Sequence, residues 1–270
     1  MAIFPLREVH AGLHGIGKTV FSGSKIEEFQ VEILGVLENV GPRQSVILAR
    51  LSGGPLERTG VMQGMSGSPV YINGRLVGAV ALAFNFAKEP IAGIRPIEEM
   101  LAITAQPPGG VASHTGHARL QIAMPQVARK DVPLAPATAG SESQSNSLIE
   151  IATPISFNGF TSGTLEHFAP ELKKLGLDPR QGVSSGGRLP SKLGNPALLH
   201  AGDMIAVELL SGDLTMGAEG TVTHVDGNHV YAFGHRFLSV GNTELPFARA
   251  EVLTLLPNLS ASFKISSPTQ

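Results

Sequence analysis

The chain has 270 residues, 20 lysines and arginines against 22 aspartates and glutamates, a net charge of −2, 42% hydrophobic residues and no cysteine. That length and apolar content suit a packed core of one large or two ordinary domains and argue against disorder throughout. The near-neutral charge, without a basic block, argues against a nucleic-acid partner, and the lack of cysteine excludes a disulfide framework, a thiolate zinc site and a cysteine nucleophile.

The 32 glycines and 19 prolines favour short strands and tight turns over long helices. Met1-Ala2-Ile3-Phe4-Pro5 carries no signal-peptide pattern, and the longest apolar run, Val77 to Phe84, is too short to span a bilayer. Residues 1–105 read as a first β-rich unit. Thr19 to Phe21, Phe29 to Val36 and Ser45 to Ala49 are predicted strands bounded by Gly, Ser and Pro. Val70 to Val80 reads as a hairpin turning at Asn73-Gly74. Arg95-Pro96-Ile97-Glu98-Glu99 reads as a helix start, with a proline in the first turn and carboxylates near the positive end.

Residues 106–146 open on Gln106-Pro107-Pro108-Gly109-Gly110 and close on a Ser-rich run, which reads as a linker or mobile loop with one strand around Arg119 to Met124. Residues 147–270 read as a second β-rich unit. A helix is predicted over Thr164 to Leu175, divided at Pro170 and ended by Gly176. A second hairpin runs from Gly220 to His235 through Asp226-Gly227-Asn228, and Glu251 to Leu256 and Ser260 to Ile265 are strand-like.

The chemistry concentrates in Gly64-Met65-Ser66-Gly67-Ser68-Pro69. Small residues beside a serine let the backbone turn sharply and aim its amides at one spot, which is what the anionic intermediate of acyl transfer requires. In that reading the N–H groups of Gly64 and Ser66 form an oxyanion hole and Ser66 Oγ is the nucleophile; the alternative is an ordinary Gly/Ser turn between strands. Other motifs carry less. Gly12-Leu13-His14-Gly15-Ile16-Gly17-Lys18-Thr19 matches the P-loop string, but Thr19-Val20-Phe21 after it reads as a strand and not as the helix that would cradle phosphates, so no nucleotide is expected. His10 with His14, His114 with His117, and His224 with His229 lack metal-ligand patterning, and no metal or other cofactor is expected.

The hexapeptide resembles the serine motif of chymotrypsin-like peptidases. Thr59 to Val70 is similar to the serine segment of the SpoIVB (stage IV sporulation protein B) peptidase family. The resemblance covers about residues 15–102. It implies a mostly β fold of two β-barrel-like units of chymotrypsin type with a few short helices, and a serine endopeptidase acting through an acyl-enzyme. By the same resemblance Ala79, Val80, Ala81 and Leu82 bind substrate backbone, and Pro90 to Ile97 lines the specificity pocket. Gly220-Thr221-Val222-Thr223 followed by Phe233-Gly234-His235 resembles the family's histidine segment, which makes His235 the general base. Here that segment follows the serine instead of preceding it, a permuted order.

The family's aspartate position falls on Ser52, so no acid carries over. Hairpin register offers Glu219, or Asp213 further back, to orient His235, while Asp226 lies too far away at the tip. The resemblance further implies an exported or periplasmic signalling or processing protease with a protein or peptide substrate, and membrane association only through parts outside this chain. The missing aspartate and the reordered segments leave open a non-catalytic protein-binding or scaffold protein on a protease-like fold, and the strand-like sequence at the end of the chain leaves open a fragment lacking strands.

Overall fold

The structure, a computed structural model, describes residues 1–41, 44–104, 148–182, 194–227, 229–238 and 244–269. The linker expected over 106–146, with His114, His117 and the strand around Arg119, lies outside the described residues. The fold is mostly β, with two curled sheets and a few short helices, in keeping with a chymotrypsin-like double barrel.

The first sheet holds β1 (His14–Ser22), β2 (Lys25–Gly41), β3 (Gln44–Ser52), β4 (Pro69–Ile72), β5 (Arg75–Phe84), β6 (Ile91–Pro96) and β7 (Leu148–Glu150), in the order β4-β1-β2-β3-β6-β5-β7. Because β4 also pairs with β5, the first six strands close into an antiparallel barrel. Closure follows from local sequence. Asn73 (φ 51°) and Gly74 (φ 72°) make the two-residue turn whose twist suits a tight hairpin, so β4 and β5 pair directly. Alternate residues of β2 and β3, including Phe29, Val31, Ile33, Ile47, Ala49 and Leu51, point inward to the main core. The P-loop-like string lies on β1, where Gly17 faces the Phe29 ring so closely that a Cβ would fall 2.1 Å from it. Lys18 there pairs with Glu28 at 3.6 Å on the barrel surface. The one-turn helix α1 (Leu56–Thr59) precedes the serine segment, and α2 (Ile97–Thr104) follows β6.

The second sheet contains β8 (Thr153–Asn158), β9 (Leu177–Gln181), β10 (Met204–Leu210), β11 (Thr215–Asp226), β13 (Phe247–Leu256) and β14 (Phe263–Pro268), in the order β14-β13-β10-β11-β8-β9, with β12 (His229–Ala232) hairpinned onto β11. Between β8 and β9 runs α3 (Ser162–Lys174), capped where Thr161 Oγ1 accepts from Thr164 N at 3.2 Å. The helix continues through Pro170 instead of dividing there. Its exposed position lets one lost backbone bond be replaced by water, and Gly176 (φ 75°) follows its end.

The sheets meet along a seam. Gly23 and Val252 exchange backbone hydrogen bonds of 2.8 and 2.7 Å, and Val20 packs with Met204, Ala206, Ala250 and Val252. The expected second unit began at 147, yet Leu148–Glu150 joins the first sheet as β7.

Candidate active site

Two consecutive turns shape the serine segment. Met65 N donates to Met62 O at 3.1 Å and Ser68 N donates to Met65 O at 2.9 Å. Gly64 (φ 89°) and Gly67 (φ 93°) occupy the third position of each, where a left-handed residue is required. The turns use the N–H groups of Met65 and Ser68. Those of Gly64 and Ser66 meet no acceptor among the described residues. Ser66 Oγ is buried and also has no hydrogen-bond partner there, and the same holds for Ser68 Oγ. A buried hydroxyl beside two acceptor-free amides is an unusual local concentration of unused polar capacity.

Threonines of β11 hold this loop from the second sheet. Thr221 N donates to Ser66 O at 2.9 Å, Thr221 Oγ1 to Gly64 O at 2.7 Å and Thr223 Oγ1 to Gly67 O at 2.7 Å. The approach is so close that a Cβ on Gly67 would lie 2.0 Å from Thr221 O. Beneath Gly64 runs the wholly buried stem of Lys264 on β14, whose Nζ donates to Thr19 Oγ1 at 2.7 Å. Loss of solvation lowers the Lys264 ammonium to about 7, against the opposing pull of Glu219.

His235 approaches from the other side. Strand β12 ends at Ala232, and Phe233 (φ 65°) and Gly234 (φ 70°) turn the chain out of the ladder. Gly234 then lies against the Val80 carbonyl, which also accepts from Gly67 N at 2.8 Å. The Val80 carbonyl of β5 thus bonds the serine loop, while Gly234 of the histidine loop packs against it and spends its own N–H on Ala232 O. His235 Nδ1 bonds Arg236 O at 2.9 Å, so Nδ1 carries the proton and Nε2 keeps its lone pair. Nε2 is buried and without a partner, so it is not bonded to Ser66 Oγ. Loss of solvation lowers the imidazole below its ordinary value, and nearby Arg95 acts in the same sense. The Arg236 carbonyl and Glu150 act against it. The ring is thus neutral, in the base form, at neutral pH.

The β11–β12 ladder does not set Glu219 opposite His235. Asp226 pairs with His229, not with a residue further on, and the ladder stops before the histidine. Glu219 lies buried opposite Ala206, and its charge acts on Lys264. The carboxylate whose charge reaches His235 is Glu150 on β7, paired with Arg95 at 3.2 Å. Arg95 in turn donates from Nε to Gly234 O at 3.0 Å and pairs with Glu99 at 3.7 Å. Asp213 sits in the turn before β11, where its carbonyl backs Gly159.

Ala79 to Leu82 lie on β5 beside the serine loop, but that edge is not open. Val80 N donates to Ser68 O at 2.9 Å, and Ile151 N donates to Ala81 O at 2.9 Å. Lys264 and Glu150 were not singled out from sequence as site residues, and Arg95, Thr221 and Thr223 entered only as members of segments that resemble the family's, with no role of their own. The alternation of Thr221 and Thr223 was visible, as was a lysine inside the apolar stretch Phe263-Lys264-Ile265, but neither announces a partner so distant in the chain.

Residues 1–101 match the family model described as SpoIVB peptidase S55. No curated protein and no solved structure matches the chain.

Proposed function

We propose that this protein is a serine endopeptidase with Ser66 as nucleophile and His235 as general base, a reading supported by the match of residues 1–101 to the SpoIVB peptidase S55 family model. The observation that carries the reading is the buried, unpartnered Ser66 hydroxyl beside the acceptor-free amides of Gly64 and Ser66, together with the buried, unpartnered His235 Nε2.

In the proposed reaction Ser66 Oγ attacks the carbonyl carbon of a peptide bond and its proton passes to His235 Nε2. The negative oxygen of the tetrahedral intermediate accepts from Gly64 N and Ser66 N. The C–N bond breaks, and Nε2 returns the proton to the leaving amine. Water, deprotonated by the same nitrogen, then releases the acyl group from Ser66. The Nδ1 bond to the Arg236 carbonyl fixes the tautomer, a task usually given to a carboxylate, and Glu150 adds negative charge for the imidazolium. The substrate is a protein or peptide, and the family resemblance supports an exported processing or signalling role.

One observation favours a second reading, a protein-binding scaffold: neither Ser66 Oγ nor His235 Nε2 bonds the other, and no carboxylate bonds Nδ1. Labelling with a fluorophosphonate separates the two. The parent and Ser68→Ala are expected to label, Ser66→Ala to stay unlabelled, and His235→Ala to label about a thousandfold more slowly. Silence from every folded form of the protein would leave the scaffold.

A further inference from the structure

The edge of β5 beside the serine loop is occupied by the protein's own chain. Glu150 pairs with Leu82, Ile149 with Ala83 and Leu148 with Phe84, all antiparallel. Register along β5 breaks between Val80 and Leu82, and Ala81, inside that break, accepts from Ile151 N at 2.9 Å. The neighbouring carbonyl, Val80 O, holds Gly67 N, so Ile151 is bound one residue along from the serine loop. Bulges of this kind re-aim backbone groups next to reactive sites. The side chains alternate as in any extended peptide. Ile151 is buried in the cluster that contains Met62, Met65 and Val80. Glu150 points the other way, to Arg95, near enough for its charge to act on His235. A cleft lined by Val61, Gln63, Ala83 and Phe84 runs along Ile149 to Ala152. Meanwhile Ser66 is wholly buried.

We infer that Leu148–Ile151 sits in the substrate strand as a resident pseudo-substrate, and that the site takes extended peptides with an acidic side chain toward Arg95, followed by a branched aliphatic residue in the place of Ile151. This rests on the reading of Ser66 as nucleophile. Backbone pairing to β5 supplies register without sequence preference. Selectivity comes from two places. Arg95 has a side chain only 12% exposed and already serves Gly234 O, Glu99 and Glu150, so a lysine beside it meets an unscreened like charge. The apolar surroundings of Ile151 disfavour a charged residue there. A free substrate must displace the resident strand, so the folded enzyme works below its capacity.

The test uses the full chain and two probes. With a small fluorophosphonate, Leu148→Asp, which sets a charge against the cluster of Val46, Ala81 and Leu82 that Leu148 packs on, and Ile151→Ala, which weakens the apolar anchor, should each label at least about tenfold faster than the parent. Thermal melting checks that both fold, and Ile151→Ala leaves the charge near His235 unchanged. With peptidyl phosphonates, Leu-Ile-Glu-Ile should react with the Ile151→Ala protein at least about tenfold faster than Leu-Ile-Lys-Ile. If the parent labels at Ser66 but both folded variants label no faster, or the two peptides react alike, the inference is overturned and the peptidase reading stands. If parent and variants are folded and all silent, the peptidase reading itself falls.

Discussion

Lys264 is the least expected residue around the serine loop. An ammonium group wholly removed from water is costly, and the protein meets that cost with the Thr19 hydroxyl, the Glu219 charge and a pKa lowered to about 7. The lowered value has a thermodynamic signature. Between about 7 and the ordinary 10.5 the unfolded chain holds a proton on Lys264 that the folded protein has released. Stability to unfolding must therefore rise with pH across that window, with a slope approaching about 1.4 kcal/mol per pH unit from this group. Urea unfolding at a series of pH values should show that rise in the parent. Lys264→Met should lose it, and an unchanged slope in the variant would mean that the lysine is not what titrates. Sequence alone could not have disclosed this residue. A lysine on a terminal-looking strand reads as solvated, and only the placement of β14 under Gly64 buries it.

At the level of elements, the hairpin and the serine loop show which local signals suffice. Asn73-Gly74 fixed the β4–β5 turn because both residues adopt positive φ without tertiary help. The Asp226 hairpin was legible as a hairpin but not in register. Pairing of Asp226 with His229 moved the turn on by one residue, and the left-handed Phe233 then ended the strand short of His235. A register shift between Val222 and His224 then restores the offset that would set Glu219 across from His235, so it is the end of the strand, and not the turn, that keeps the ladder from reaching this pair. Strand β7 was illegible for another reason: three alternating residues carry no mark of the strand they will join. Glycines within these elements should differ sharply in tolerance. At Gly74 nothing lies within 4 Å of a new Cβ, so Gly74→Ala carries only the left-handed penalty of about 1–2 kcal/mol. At Gly67 the same penalty is joined by a collision with the Thr221 carbonyl and Phe233 N, both backbone atoms that cannot swing aside. Gly67→Ala should cost clearly more than Gly74→Ala in urea denaturation, and equal costs would mean that the seam yields easily.

For the molecule as a whole, the two sheets are joined by hydrogen bonds that also build the site: Gly23 with Val252, Gln63 with Ser262 and Lys264, and Ser66 with Thr221. A boundary between domains would ordinarily carry few such contacts. The barrel and the second sheet should therefore open together, with the amides of Gly67 and Thr221 showing the same free energy of opening in native-state hydrogen exchange. A Thr221 amide that exchanges while the barrel core stays protected would show two independently opening units. The resemblance drew the eye to two segments, Gly64 to Pro69 and Gly220 to His235, and their existence as turn and hairpin was legible. Their meeting place was not, because it depends on a seam between residues more than half the chain apart.

That seam also orders events in time. The Gln63-Gly64 turn rests on Ser262 and Lys264, and Ser66 rests on Thr221. A ribosome adding about 5–20 residues per second makes Ser66 on the order of ten seconds or more before it makes Lys264. The barrel strands around the serine can form in that interval, but their braces do not yet exist. A nascent chain therefore carries its proposed nucleophile unbraced until β11 and β14 have been made.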